Sequence, residues 1–165
     1  MFRQQIRGLA SERFVYIDES GFQDTLDYPY GYCHRSERFY AEKLGHRTER
    51  LSVIGAWREG EVIAPMILEG YVNSEVFCQW FKEQLVVELL PGQIVILDNA
   101  SFHPKSRLKK LLKGTGCEIL FLPPYSPDLN KIEKFWSHLK KKVSQIIRED
   151  GGLFQALSMG LRLLS

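Results

Sequence analysis

Cysteine is scarce in this sequence: Cys33, Cys78 and Cys117 are odd in number, widely spaced and lack a Cys-x-x-Cys pair. The pattern excludes a disulfide framework and a structural zinc, and leaves free, mostly buried thiols. The histidines His34, His46, His103 and His138 add no zinc motif, because none stands at ligand spacing from a cysteine or another histidine. Long apolar runs are also missing. No stretch approaches the roughly 20 residues of a membrane helix, and the first seven residues lack the apolar region of a signal peptide. A cytoplasmic protein with no membrane partner is expected. Ser20, Ser101 and Ser126 lack a nucleophile-elbow context and an evident histidine and acid partner, which argues against serine chemistry.

What is present is one core's worth of apolar residues, 44% of 165 positions, and an uneven distribution of charge. From Phe102 to Arg148 there are eleven basic and three acidic residues, a net +8 that leaves −6 for the rest of the chain. Lys105, Arg107, Lys109, Lys110 and Lys113, then Lys140, Lys141 and Lys142, read either as solvated helix faces or as surfaces that neutralise a phosphate backbone.

Alternation and punctuation predict the elements. Phe14 to Asp18 reads as a strand, and Leu51–Trp57 with Val62–Leu68 as a hairpin whose second arm, carrying Pro65, belongs at a sheet edge. Asn73 is placed to cap a helix through Glu88. The run Ile94 to Leu97 is continuously apolar, as in a strand covered on both faces. A basic helix over 104–113 leads to a strand over 117–122, and Ser126 with Pro127 reads as the start of a long helix whose Ile132, Phe135, Leu139, Val143 and Ile146 share one face. Leu153 to Leu164 reads as a last amphipathic helix, and residues 22–50 as an irregular loop or a partly paired extension. The order implies an α/β fold, a five-stranded mixed sheet flanked by helices, with the strands bearing Asp18 and Asp98 side by side.

Three acids stand in unusual settings. Asp18 follows Phe-Val-Tyr-Ile, Asp98 follows Ile-Val-Ile-Leu, and Glu133 lies one position past the apolar Ile132. A carboxylate at the end of a buried strand is costly unless paired or metal-bound, and strand ends open into the crevice where α/β sheets hold ligands. Oxygen-only ligands favour Mg²⁺ or Mn²⁺, and a pair of ions about 4 Å apart serves in-line phosphoryl displacement. Taken singly, each acid also reads as an ordinary turn, cap or surface residue. Asn99 and His103 are candidates to orient the ligands or contact phosphate, and Asn130 to fix the turn before the helix.

The strings Tyr-Ile-Asp-Glu-Ser-Gly-Phe at 16–22, Ile-Leu-Asp-Asn-Ala-Ser-Phe-His at 96–103 and Leu-Pro-Pro-Tyr-Ser-Pro-Asp-Leu-Asn-Lys-Ile-Glu-Lys-Phe-Trp at 122–136 closely resemble the catalytic domain of bacterial insertion-sequence transposases of the Tc/mariner superfamily. Asp98 and Glu133 enclose 34 residues, a spacing common there. The resemblance implies a ribonuclease H-like fold, an Asp18, Asp98 and Glu133 triad holding Mg²⁺ or Mn²⁺, and cleavage at transposon ends followed by strand transfer. It implies DNA as partner, for which Asn99, His103, Lys105, Lys109, Asn130, Lys140 and Lys141 are the candidate contacts, a homodimer assembled on DNA, and a location at the bacterial nucleoid. Lys131 stands where the family commonly has proline. Relatives usually carry an upstream helix-turn-helix, whereas about a dozen residues precede the first strand in this chain. The expected organisation is a remnant or linker at 1–12, a catalytic domain at 13–148 and a helical tail at 149–165, with end recognition supplied by a separate or frameshift-fused helix-turn-helix half. A nuclease or resolvase of the same fold acting on another nucleic acid, and an inactive DNA-binding remnant, are the alternatives.

Overall fold

Short segments rich in β-branched and aromatic residues pair into one sheet, and the helices between them cover its two faces. The computed structural model describes residues 2–23, 49–150 and 152–165. The strands are Phe14–Gln23 (β1), Arg50–Arg58 (β2), Glu61–Glu69 (β3), Ile94–Leu97 (β4) and Glu118–Phe121 (β5), in the spatial order β3-β2-β1-β4-β5. β1, β2 and β3 pair antiparallel, while β4 lies parallel to both β1 and β5. This is the expected five-stranded mixed sheet with ribonuclease H-like topology. Pro65 lies in edge strand β3, at an irregularity where the pairing shifts between Ile54 and Ala56.

β1 is longer than its sequence suggests. Instead of stopping at Asp18 it runs to Gln23, because β2 pairs with it from Tyr16 opposite Trp57 through Gln23 opposite Arg50. The parallel ladder with β4 reaches only Tyr16 opposite Ile96. Asp18 therefore sits within a strand, beside the space where its parallel neighbour has ended. Residues 24–48, which hold most of the expected irregular segment and Cys33, His34 and His46, lie outside the described residues. Cys78 is buried and Cys117 half-buried, both as free thiols.

Asn73 caps the helix that follows β3, accepting from the Val76 amide at 2.9 Å. Ser74–Trp80 (α2) passes through a π-helical turn, Phe81–Leu85, into the short turn Val86–Glu88 (α3). Lys105–Leu111 (α4) links β4 to β5. After β5 the long helix starts later than Ser126 predicts. Pro127–Leu129 forms a separate 3-10 turn, and Ile132–Asp150 (α5) begins beyond it. Asn130 explains the break: it is extended, and its side chain turns inward to donate to the Ile17 carbonyl at 3.1 Å. The Ser126 hydroxyl caps nothing and donates to the Pro124 carbonyl at 3.3 Å.

Alternation along β1 and β4 divides the core. Phe14, Tyr16, Ile94 and Ile96 face α5, Leu153–Leu164 (α6) and the N-terminal turn Phe2–Ile6 (α1). Val15, Ile17, Val95 and Leu97 face α2 and α4. The face expected of α5, Ile132, Phe135, Leu139, Val143 and Ile146, is buried, and each fully covered aliphatic chain contributes about 1.5–3 kcal/mol. Gly160 lets α6 approach α5, since a Cβ there would lie 2.9 Å from the Leu139 Cδ1. Among the described residues no helix is long and apolar enough to cross a membrane.

Candidate active site

The period of two that splits the core also aims the acids. Asp18 shares its face with Phe14 and Tyr16, on the α5 side, and the step of sequence after β4 carries Asp98 to the same end of the sheet. Glu133 lies in the first turn of α5. All three line one cleft of about 490 Å³, together with Asn99, Asn130 and the loop from Leu122 to Pro127. Opposite Asp18 in the ladder is Gly55, whose missing side chain leaves room for α5: a Cβ would meet the Trp136 indole at 3.4 Å and Val62 at 3.2 Å. The small residue thus lets the helix bearing Glu133 settle against β2.

The electrostatics are those of crowded carboxylates. Burial, followed by the charges of Glu19, Glu133 and Asp98, pushes the Asp18 carboxyl up to about 8. Among the described residues no lysine, arginine or histidine lines the cleft to balance it. Such a donor set suits a hard divalent cation, with oxygen ligands and negative charge in excess. As placed, no three acidic, histidine or cysteine side chains among the described residues converge into a ready-made metal cage.

Asp98 is set apart by His103. The histidine Nδ1 lies 2.9 Å from the Asp98 Oδ1, and its Nε2 lies 3.7 Å from Glu19 Oε2. Neither ring nitrogen is aligned for a hydrogen bond, so these contacts act as ion pairs. Burial disfavours charge on His103, but the two carboxylates outweigh it and raise its pKa to about 9. The same contact holds the Asp98 carboxyl below the usual range, against burial and with help from the Ala100 amide, which donates to Oδ1 at 3.1 Å. The ring is wedged between Phe77 and Phe102, with centroids 4.4 and 4.2 Å away. Ser74 of α2 ties this loop down by donating to the Phe102 carbonyl at 2.5 Å.

Of the residues singled out in the sequence, Asp18, Asp98, Asn99, Asn130 and Glu133 meet in the cleft. His103 is buried behind it, and Asn130 is buried with its amide on β1. Lys105, Lys109, Lys140 and Lys141 are exposed on α4 and α5 outside the cleft lining. The Lys105 ammonium lies 5.1 Å from the Phe121 ring and that of Lys140 lies 5.9 Å from Phe22. Sequence reasoning overlooked Glu19 as the second partner of His103. Its signal was the alternation of β1, which turns Glu19 to the α2 face when Asp18 faces α5. Tyr125, at the cleft rim, was also overlooked.

Solved structures share this architecture. A pre-cleavage Mos1 transpososome matches with a TM-score of 0.61 at 16% identity, over 98% of this chain and 56% of that one. An intasome of simian T-cell lymphotropic virus matches at 0.58 and 15%, over 94% and 49%. The catalytic core domain of BIV integrase matches at 0.54 and 13%, over 91% and 81%. At these identities the likeness is one of fold, and the chain spans about half the length of the first two. No curated protein matches the chain. The profile of a family described as DDE superfamily endonuclease matches residues 13–150, so the chain belongs to that family.

Proposed function

We propose that this chain is the catalytic domain of a transposase, which cuts DNA at transposon ends and joins the freed end to target DNA. The observation that carries the reading is the gathering of Asp18, Asp98 and Glu133, from β1, the end of β4 and the start of α5, in one cleft with no balancing cation among the described residues. Membership of the DDE superfamily endonuclease family supports the same chemistry. In this reading the three carboxylates hold two Mg²⁺ or Mn²⁺ ions. When bound, the ions supply an activated water or 3′-hydroxyl and stabilise the leaving oxygen of an in-line displacement.

The chain's own residues keep that arrangement in place. His103 and the Ala100 amide fix the carboxylate of Asp98 in its ionised form. Asn130 ties the entry of α5 to the β1 carbonyl next to Asp18, so Glu133 and Asp18 are positioned by one buried clamp. Asn99, exposed in the cleft, is assigned to the phosphate. The lysines of α4 and α5 extend a basic surface for the backbone on either side, consistent with the +8 charge between Phe102 and Arg148. Two transposon ends must be brought together, so the working form is read as a dimer on DNA, with end recognition provided by a helix-turn-helix module.

The direct assay is cleavage of DNA bearing the element's terminal inverted repeats, with the recognition module supplied, in Mg²⁺ and in EDTA. Metal-dependent nicking at the repeat ends is expected, with little action on an RNA/DNA hybrid or a four-way junction. Preference for the hybrid or the junction would reassign the chain to the nuclease or resolvase reading. Cutting that survives EDTA would end the metal-dependent one.

A further inference from the structure

Among the described residues, three other than glycine adopt a left-handed backbone: Glu59 at φ 50°, Ala64 at φ 49° and Tyr125 at φ 56°. Glu59 lies in the tight turn between β2 and β3, where hairpin geometry asks for positive φ. Ala64 occupies the irregularity of β3, and its carbonyl accepts from the Trp80 indole at 2.7 Å. Tyr125 follows Pro124 in a turn, at the position where positive φ favours glycine or asparagine, so a tyrosine there is strained and its identity is not dictated by the turn.

Among the described residues nothing covers the Tyr125 ring. Its side chain is fully exposed, at 102% relative accessibility, the highest among the exposed large apolar and aromatic residues. Yet the loop that presents it is stiff. Pro123, Pro124 and Pro127 restrict φ around it, and the Leu122 amide anchors the loop by donating to the Leu97 carbonyl at 2.9 Å. The same loop forms one wall of the cleft that holds Asp18, Asp98 and Glu133. An aromatic face is therefore held in water, on a restricted loop, at the rim of an acidic cleft.

We propose that Tyr125 is a stacking platform for a nucleobase of the strand entering the cleft, holding that nucleotide out of the duplex stack beside the phosphate to be cut. This rests on the reading of the cleft as a nucleic-acid site. Stacking needs only a π-face, so it tolerates any base. The prolines of the loop also limit the backbone freedom that it loses on binding.

The test uses duplex DNA with a short single-stranded tail carrying 2-aminopurine, whose fluorescence falls when the base stacks. It is read in Ca²⁺, without turnover. Binding of the unaltered chain is expected to quench the probe at one tail position. Tyr125→Phe and Tyr125→Trp should keep the quench, whereas Tyr125→Ala and Tyr125→Gly should lose it and weaken tail binding by about tenfold to a hundredfold. Tyr125→Gly supplies the control for folding. Glycine relieves the left-handed strain, so its Tm should equal or exceed that of the unaltered chain while the quench is lost. Equal quenching by the alanine variant, or no quenching by the unaltered chain at any tail position, overturns the platform. Metal-dependent cleavage of repeat ends persisting in either case would leave the catalytic reading standing.

Discussion

Glu133→Ala is expected to reduce metal-dependent DNA cleavage by about 10³-fold or more, equivalent to about 4 kcal/mol of transition-state stabilisation, without changing the fold's stability. The separation follows from where the residue sits. Glu133 is exposed on the first turn of α5, and its side chain has no hydrogen-bond or ion-pair partner among the described residues. Removing an exposed surface acid of that kind shifts stability by roughly 0.5 kcal/mol or less. Asp98→Ala should lose as much activity but also lower Tm. It strips His103 of its nearer carboxylate and leaves a buried, charged ring facing Glu19 alone. Parallel measurement of cleavage rate and Tm distinguishes the two. A Glu133→Ala chain with cleavage within tenfold of the unaltered rate would remove Glu133 from the chemistry.

The second large effect concerns Asp18. Its carboxyl ionises near 8 in the folded chain against 3.8 as a free side chain, with burial as the leading cause. The folded state then holds a proton that the unfolded state has already released, over the window from about pH 4 to pH 8. Stability of the metal-free protein is therefore greatest below that window and falls as pH rises through it, by up to about 6 kcal/mol for the full shift. Asp18→Asn removes the penalty. At pH 8 and without metal it should melt higher than the unaltered chain, at pH 4 the two should coincide, and its DNA cleavage should be lost. Mg²⁺ should raise the Tm of the unaltered chain more at pH 8 than at pH 5, since cation binding and proton release are linked at this site. Calorimetry across pH with and without Mg²⁺ measures both. Melting curves of the two chains that run parallel from pH 4 to 9 would contradict the crowding of carboxylates around Asp18.

The elements that could be read from sequence are those whose cause is local. Ile94 to Leu97 announces a covered strand by composition alone, which makes the aspartate after it conspicuous, and Asn73 caps the helix its identity suggests. The errors lie where a distant segment decides. β1 outlasts Asp18 because β2, which enters the sheet at Arg50, pairs with its second half. α5 starts after Asn130 rather than after Ser126 because Asn130 finds its partner on β1, 113 residues earlier in the chain. The Glu19, His103 and Asp98 contacts depend on two strands and the loop packed under Phe77, so neighbouring sequence alone cannot specify them. Strand ends and the resemblance together singled out the acids, whereas the surroundings that tune them emerge only when the sheet is assembled.

The proposed chemistry turns on a direct bond between Asp98 and the catalytic ion, and a change of ligand tests it most sharply. Asp98→Cys replaces a hard carboxylate by a softer thiolate, which accepts Mn²⁺ better than Mg²⁺. Cleavage of repeat-end DNA by this variant should be undetectable in Mg²⁺ and recover in Mn²⁺, while Asp98→Ala stays inactive in both. Equal cleavage by Asp98→Cys in the two metals, or recovery of Asp98→Ala to the same level in Mn²⁺, would contradict a direct metal bond at this position.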